Sequence, residues 1–340
     1  TAKGVRSVHG NIQKGVRFGA ALALALVLCA TAALAAETGG KRLVPVGHTV
    51  GVKLFSRGVV VVKLPEGSTP ARTCGLKTGD VIEACGGRTV TSTEQFQSLL
   101  QENGTDTTEL SVKRQGSPVT LSVEPERNEE GACCIGAWVR DSMAGIGTVT
   151  YYDPDSNTFG ALGHGITDGD TAALMPFGNG AILPSTVKAV KKGSCGSAGE
   201  LRGEFDLTEE LGQLYANTGC GIFGTLNAAC SLAEGEALPV GDASEGPAVI
   251  RSNISGDEVQ EYAVEILKTI PDAPDGRELV ISVTDPKLIA ATGGIVQGMS
   301  GSPILQNGQL VGAVTHVLLS DPTKGYGISV ETMLNTGAMT

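Results

Sequence analysis

Aromatic residues make up only 4% of this 340-residue chain and charged residues only 18%. Against 48 glycines, that scarcity predicts many turns and short strands rather than long helices. No tandem repeat or low-complexity block interrupts the sequence. Basic residues are outnumbered, and the net charge of −11 argues against nucleic acid as a partner, because phosphate binding needs a basic face. Metal-ligand patterns are also missing. No C-x-x-C occurs, and the four histidines, His9, His48, His164 and His316, lie far apart, so neither a metal nor another cofactor is expected.

What is present begins with an export segment. Lys3, Arg6, Lys14 and Arg17 precede an uncharged run from Phe18 to Ala36, and Ala33-Leu34-Ala35 fits a small-x-small cleavage site. Residues 1–36 therefore read as a signal peptide or as a retained membrane anchor, with the remainder outside the cytoplasmic membrane. Beyond Cys29 the cysteines are odd in number, and their pairing cannot be deduced from the sequence.

Residues 43–124 form a β-rich module. Val50–Leu54 and Gly58–Val62 read as two strands, followed by Gly75-Leu76-Lys77-Thr78-Gly79-Asp80-Val81-Ile82 and a helix from Ser92 to Gln101. This order of elements resembles a PDZ domain. The resemblance implies capture of an extended peptide by strand addition, with Gly51, Val52, Lys53 and Leu54 as the receiving edge. Residues 125–131 read as a charged linker. Residues 132–340 show short apolar stretches separated by turns, which predicts an all-β barrel or sandwich.

Two motifs in this second region carry chemistry. Gly298-Met299-Ser300-Gly301-Ser302-Pro303 sets a serine among glycines, whose bare amides suit an oxyanion hole formed by the N–H groups of Gly298 and Ser300. Phe159-Gly160-Ala161-Leu162-Gly163-His164 offers a histidine, and a serine needs such a base to be nucleophilic at neutral pH. His316, in Ala313-Val314-Thr315-His316-Val317, competes for that role. A third, orienting carboxylate is either Asp206 or Asp285.

The order of histidine and serine on a β-rich region resembles the chymotrypsin-like clan, and Asp206 follows His164 at that clan's usual interval. A fuller resemblance rests on Gly163-His164-Gly165-Ile166-Thr167-Asp168, Thr284-Asp285-Pro286-Lys287-Leu288 and Gly294-Ile295-Val296-Gln297-Gly298-Met299-Ser300-Gly301-Ser302-Pro303 behind a PDZ module. Together these are similar to the sporulation stage IV protein B signalling peptidases. That resemblance implies a mainly β chain with an N-terminal anchor helix, a PDZ domain and a chymotrypsin-like peptidase domain. It also implies His164, Asp285 and Ser300 as the catalytic set. It further implies export to the space between the forespore membranes, self-processing, and cleavage of a membrane-associated regulator so that a sigma factor matures. The alternative is a PDZ-bearing adaptor with an inactive protease-like domain.

Overall fold

The computed structural model describes residues 40–227 and 230–339. The expected export segment, residues 1–36, lies outside the described residues, and among the described residues no helix is long and apolar enough to cross a membrane.

Two long strands organise the rest. Thr49–Lys63 and Trp138–Asp153 pair antiparallel along most of their length, from Thr49 opposite Thr148 to Lys63 opposite Trp138. Their inner halves belong to a barrel. Trp138–Asp153 pairs onward with Thr158–Ala161, which pairs with Gly221–Leu226, then Gly212–Thr218, then Asn179–Lys191, which returns to Thr49–Lys63. The ring therefore closes around Val50, Val149, Phe159, Ile182 and Ile222, all fully buried. Alternation along these strands drives closure, because apolar residues on one face must be covered and a closed ring leaves no bare edge.

A second barrel follows, closed by Gly246–Ser252, Gln260–Thr269, Leu279–Val283, Lys324–Ser329, Gln309–Val317 and Pro303–Gln306. Its core holds Ile250, Val264, Ile281 and Ile304. The expected mainly β fold with a PDZ module and a barrel is thus present.

The outer half of Thr49–Lys63 enters the PDZ module. Val59 and Val60 pair with Ile82 and Val81, and the sheet continues through Thr108–Arg114 and Ser117–Val123. The helix Thr93–Asn103 starts where expected, with the Ser92 side chain accepting the Gln95 N–H at 3.1 Å, and it buries Phe96, Leu99 and Leu100.

Three expectations are corrected here. The two strands expected at the start of the PDZ module are one, bent at Gly58, whose φ of 87° provides the kink. Gly51, Val52, Lys53 and Leu54 are not a peptide-receiving edge. They pair with Ile146, Gly145, Ala144 and Met143 on one side and with Leu183, Ile182, Ala181 and Gly180 on the other, so both ladders are taken inside the first barrel. The charged linker also folds, as a small hairpin of Glu126–Arg127 with Cys133–Cys134.

Candidate active site

His164 comes from the first barrel. The strand Thr158–Ala161 ends in two successive residues with positive φ, Leu162 at 69° and Gly163 at 68°. For a leucine this conformation costs on the order of 1–3 kcal/mol, the kind of strain that persists where surrounding contacts enforce it. The contacts are visible: Leu162 donates its N–H to the Thr148 carbonyl at 3.1 Å, and a Cβ on Gly163 would press on Thr315 at 2.8 Å. This tight exit aims His164 into a cleft of about 730 Å³ that Ser300, Gly298 and His316 also line.

Ser300 comes from the turn that leads into the second barrel. Gly298 and Gly301 have φ of 98° and 96°, and a Cβ on Gly301 would overlap the Thr148 carbonyl oxygen. The turn is pinned by that same threonine. Thr148 donates its N–H to the Ser300 carbonyl at 2.9 Å and its hydroxyl to the Gly298 carbonyl at 2.8 Å. These bonds turn both carbonyls away from the cleft. The N–H groups of Gly298 and Ser300 have no acceptor among the described residues.

The Ser300 hydroxyl donates to the Thr315 carbonyl at 2.7 Å, and His164 Nδ1 lies 2.9 Å from the Gly165 carbonyl. Both side chains are thus engaged by backbone carbonyls, and the serine hydroxyl is not hydrogen-bonded to the histidine. Burial pushes the His164 pKa below its ordinary value, against the pull of the Gly165 carbonyl. The ring is therefore neutral at neutral pH, as a base must be.

The side chain packed against His164 is His316. Its ring centroid lies 5.0 Å away at a tilt of 40°, and its buried Nδ1 has no hydrogen-bond partner. Burial first, then the charges of His164 and Arg277, lower its pKa to about 4, with Asp275 opposing.

Neither expected carboxylate reaches this pair. Asp285 caps the helix Pro286–Thr292, accepting from Lys287 N at 2.8 Å and Leu288 N at 3.1 Å. Its desolvation is outweighed by the N–H groups of Leu288, Ala263 and Lys287 and by the Lys287 charge, so its pKa falls. The proline after it explains the geometry, since Pro at the first helical position leaves Asp as the natural cap. Asp206 is exposed and accepts from Thr208 N at 2.8 Å and Thr208 Oγ1 at 2.6 Å. Both therefore satisfy their own turns.

Three supporting residues escaped the sequence. Thr148 sits in an unremarkable strand. Asp168, side chain 1% exposed, ends the His164 run, where its Oδ1 accepts from Asp170 N and Thr171 N. Arg140 forms an ion pair with Asp168 and another with Asp170 at 2.8 Å. Only the buried aspartate beside the histidine motif left a sequence trace, because a charge in an otherwise uncharged run needs a partner.

The SpoIVB peptidase S55 family model matches residues 131–334, and the PDZ model matches residues 43–124. The chain belongs to the SpoIVB peptidase S55 family. It is a serine peptidase. Among curated proteins, Serine protease HTRA1 of Xenopus tropicalis is 35% identical over 74 residues, 22% of this peptidase and 15% of that protein's length. Among solved structures, the active form of the Rv3671c protease from M. tuberculosis aligns over 58% of the peptidase and 74% of its own chain, at 15% identity and a TM-score of 0.31. The PDZ domain of an SdrC-like protein from Listeria monocytogenes aligns over 24% of the peptidase and 87% of its own chain, at 21% identity and a TM-score of 0.23.

Proposed function

We propose that Ser300 is the nucleophile of an endopeptidase, His164 its general base, and the Gly298 and Ser300 N–H groups its oxyanion hole. The observation that carries this is a cleft between two barrels into which one strained turn delivers a neutral histidine and another delivers a serine. In the first step the Ser300 hydroxyl turns from the Thr315 carbonyl toward His164, which takes its proton as Oγ attacks the scissile carbonyl. The negative oxygen so formed is met by the two free amides. His164 then returns the proton to the leaving amine, and water releases the acyl group by the same route. With Asp206 and Asp285 engaged elsewhere, the Gly165 carbonyl at Nδ1 orients the His164 ring during these transfers, and His316 packs against it.

By family, the substrate is a protein, including the chain itself and a membrane-associated regulator of an embedded protease, and the outcome is sigma factor maturation during sporulation. The uncharged segment 18–36 and the basic residues before it support export across the cytoplasmic membrane, with the N-terminus retained as an anchor or released. Incubation of the purified full chain tests the chemistry. Self-cleavage by the parent chain and none by Ser300→Ala is the expected result, and cleavage by folded Ser300→Ala protein removes Ser300 from the reaction.

A further inference from the structure

Strand addition to a PDZ module needs a free sheet edge. Here the edge formed by Val60–Lys63 is already taken. Arg140, Val139 and Trp138 lie opposite Val60, Val61 and Lys63 as an antiparallel strand, and they come from beyond the module's own 43–124 span. Neighbouring residues secure the segment. Ile135 accepts the Ala71 N–H at 2.8 Å, Cys133 accepts the Gln97 side chain at 2.9 Å, and the Asp141 carboxylate accepts Thr93 N at 2.8 Å. The chain has supplied its own strand to the PDZ module.

That strand runs directly into the peptidase site. Arg140, paired to Val60 on the PDZ edge, holds Asp168 and Asp170 in the loop that follows His164. Further along the same strand, Thr148 holds the Ser300 turn. Only the first stretch is open to competition. Trp138 is 63% exposed, with the Lys63 ammonium over its ring, whereas Thr148 is fully buried between the barrels.

We propose that the PDZ edge Val60–Lys63 is a control site, at which an extended peptide competes with Trp138–Arg140 and thereby lowers peptidase turnover. Displacing this strand withdraws Arg140 from Asp168, leaving a buried carboxylate without its cation and loosening the loop that aims His164. A peptide with the local pattern, an aromatic, a β-branched residue and a basic residue in alternation, fits the edge. The inference rests on reading the cleft as the peptidase site, and its test carries a readout that does not depend on that reading.

The experiment uses the full chain and a synthetic peptide of residues 136–141. Amide hydrogen exchange is followed at residues 138–140 and 165–173, alongside hydrolysis of a short reporter peptide. The added peptide is expected to speed exchange in both segments and to lower kcat by about 5- to 150-fold, the ordinary range of coupling between sites. In Arg140→Ala, exchange at 138–140 should still respond while kcat, already reduced, should not. Arg140→Lys, which keeps a cation near Asp168, should respond partially. Unchanged exchange at 138–140 with millimolar peptide shows an edge closed to competitors and overturns the proposal. Faster exchange there with residues 165–173 unmoved overturns it equally, and does so whether or not Ser300 proves to be the nucleophile.

Discussion

His164 and His316 pack against each other in the cleft with ring centroids 5.0 Å apart, and among the described residues no carboxylate side chain is hydrogen-bonded to either ring. A pair of half-buried imidazoles in contact can carry one proton between them, since a second would place like charges side by side. The histidine packed against His164 lies on the strand Gln309–Val317, which also supplies the carbonyl that accepts from the Ser300 hydroxyl.

Replacing His316 should therefore damage chemistry more than binding. His316→Ala is expected to lower kcat by roughly 10²-fold or more, the scale of a positioned acid–base partner, with KM little changed. His316→Gln, which retains a hydrogen-bonding side chain, should recover part of that loss. Steady-state kinetics on both variants, with circular dichroism to confirm folding, decide the matter. Equal kcat in all three proteins places His316 outside the mechanism.

Acidification should unfold the protein and inactivate it over a defined window. The folded-state pKa of His316 is lowered from 6.5 to about 4, and that of His164 is lowered as well. The unfolded chain thus binds more protons below 6.5. The stability these neutral rings contribute is complete above pH 6.5 and is lost as pH falls from there toward 4. Denaturant melts across that range should show the decline, and His316→Asn should flatten it. A profile that His316→Asn leaves untouched assigns acid lability to other groups.

Asp285 and Ser300 should separate cleanly. Ser300→Ala is expected to abolish hydrolysis, by at least ~10⁴-fold. Asp285→Asn should leave kcat within a few-fold, because asparagine caps a helix about as well as aspartate. Asp285→Ala should cost about 0.5–2 kcal/mol of stability through the lost cap, while folded protein still turns over. A collapse of kcat in fully folded Asp285→Asn protein restores the carboxylate to the reaction and requires the loop to move.

Thr148→Val removes one hydroxyl and little volume. The buried Gly298 carbonyl then loses its partner, which should cost about 1–3 kcal/mol. The nucleophile turn should loosen with it, so kcat falls further than global stability alone explains. Thr148→Ser retains the hydroxyl and is the control. Thermal melts and kcat measured side by side check both parts, and a valine variant as active and stable as the serine one leaves the hydroxyl without a role.

Local chemistry determined a good deal of this protein. Gly298-Met299-Ser300-Gly301-Ser302-Pro303 and Leu162-Gly163-His164 announce turns in which only glycine, or a strained residue, can bring a side chain to a cleft. Ser92 announces a helix start, and the alternation of short apolar runs announces β structure. Each of these depends on neighbours within a few residues, so each was legible.

Long-range pairing was not legible. Val50–Leu54 has the pattern of a PDZ edge strand and serves instead in the first barrel, because its partners, Gly180–Leu183 and Met143–Ile146, lie more than eighty residues away in sequence. Asp285 carries the pattern of a catalytic aspartate, yet Pro286 makes it a helix cap, and local backbone N–H groups are nearer than any histidine. Thr148, Arg140 and His316 gained their contacts with the Ser300 turn, Asp168 and His164 only when two barrels closed and one strand was shared with the PDZ module. Sequence patterns determine what a residue can do with its neighbours. Tertiary structure alone decided which distant groups arrived within hydrogen-bonding reach, because burial and sheet closure, not adjacency, select those partners.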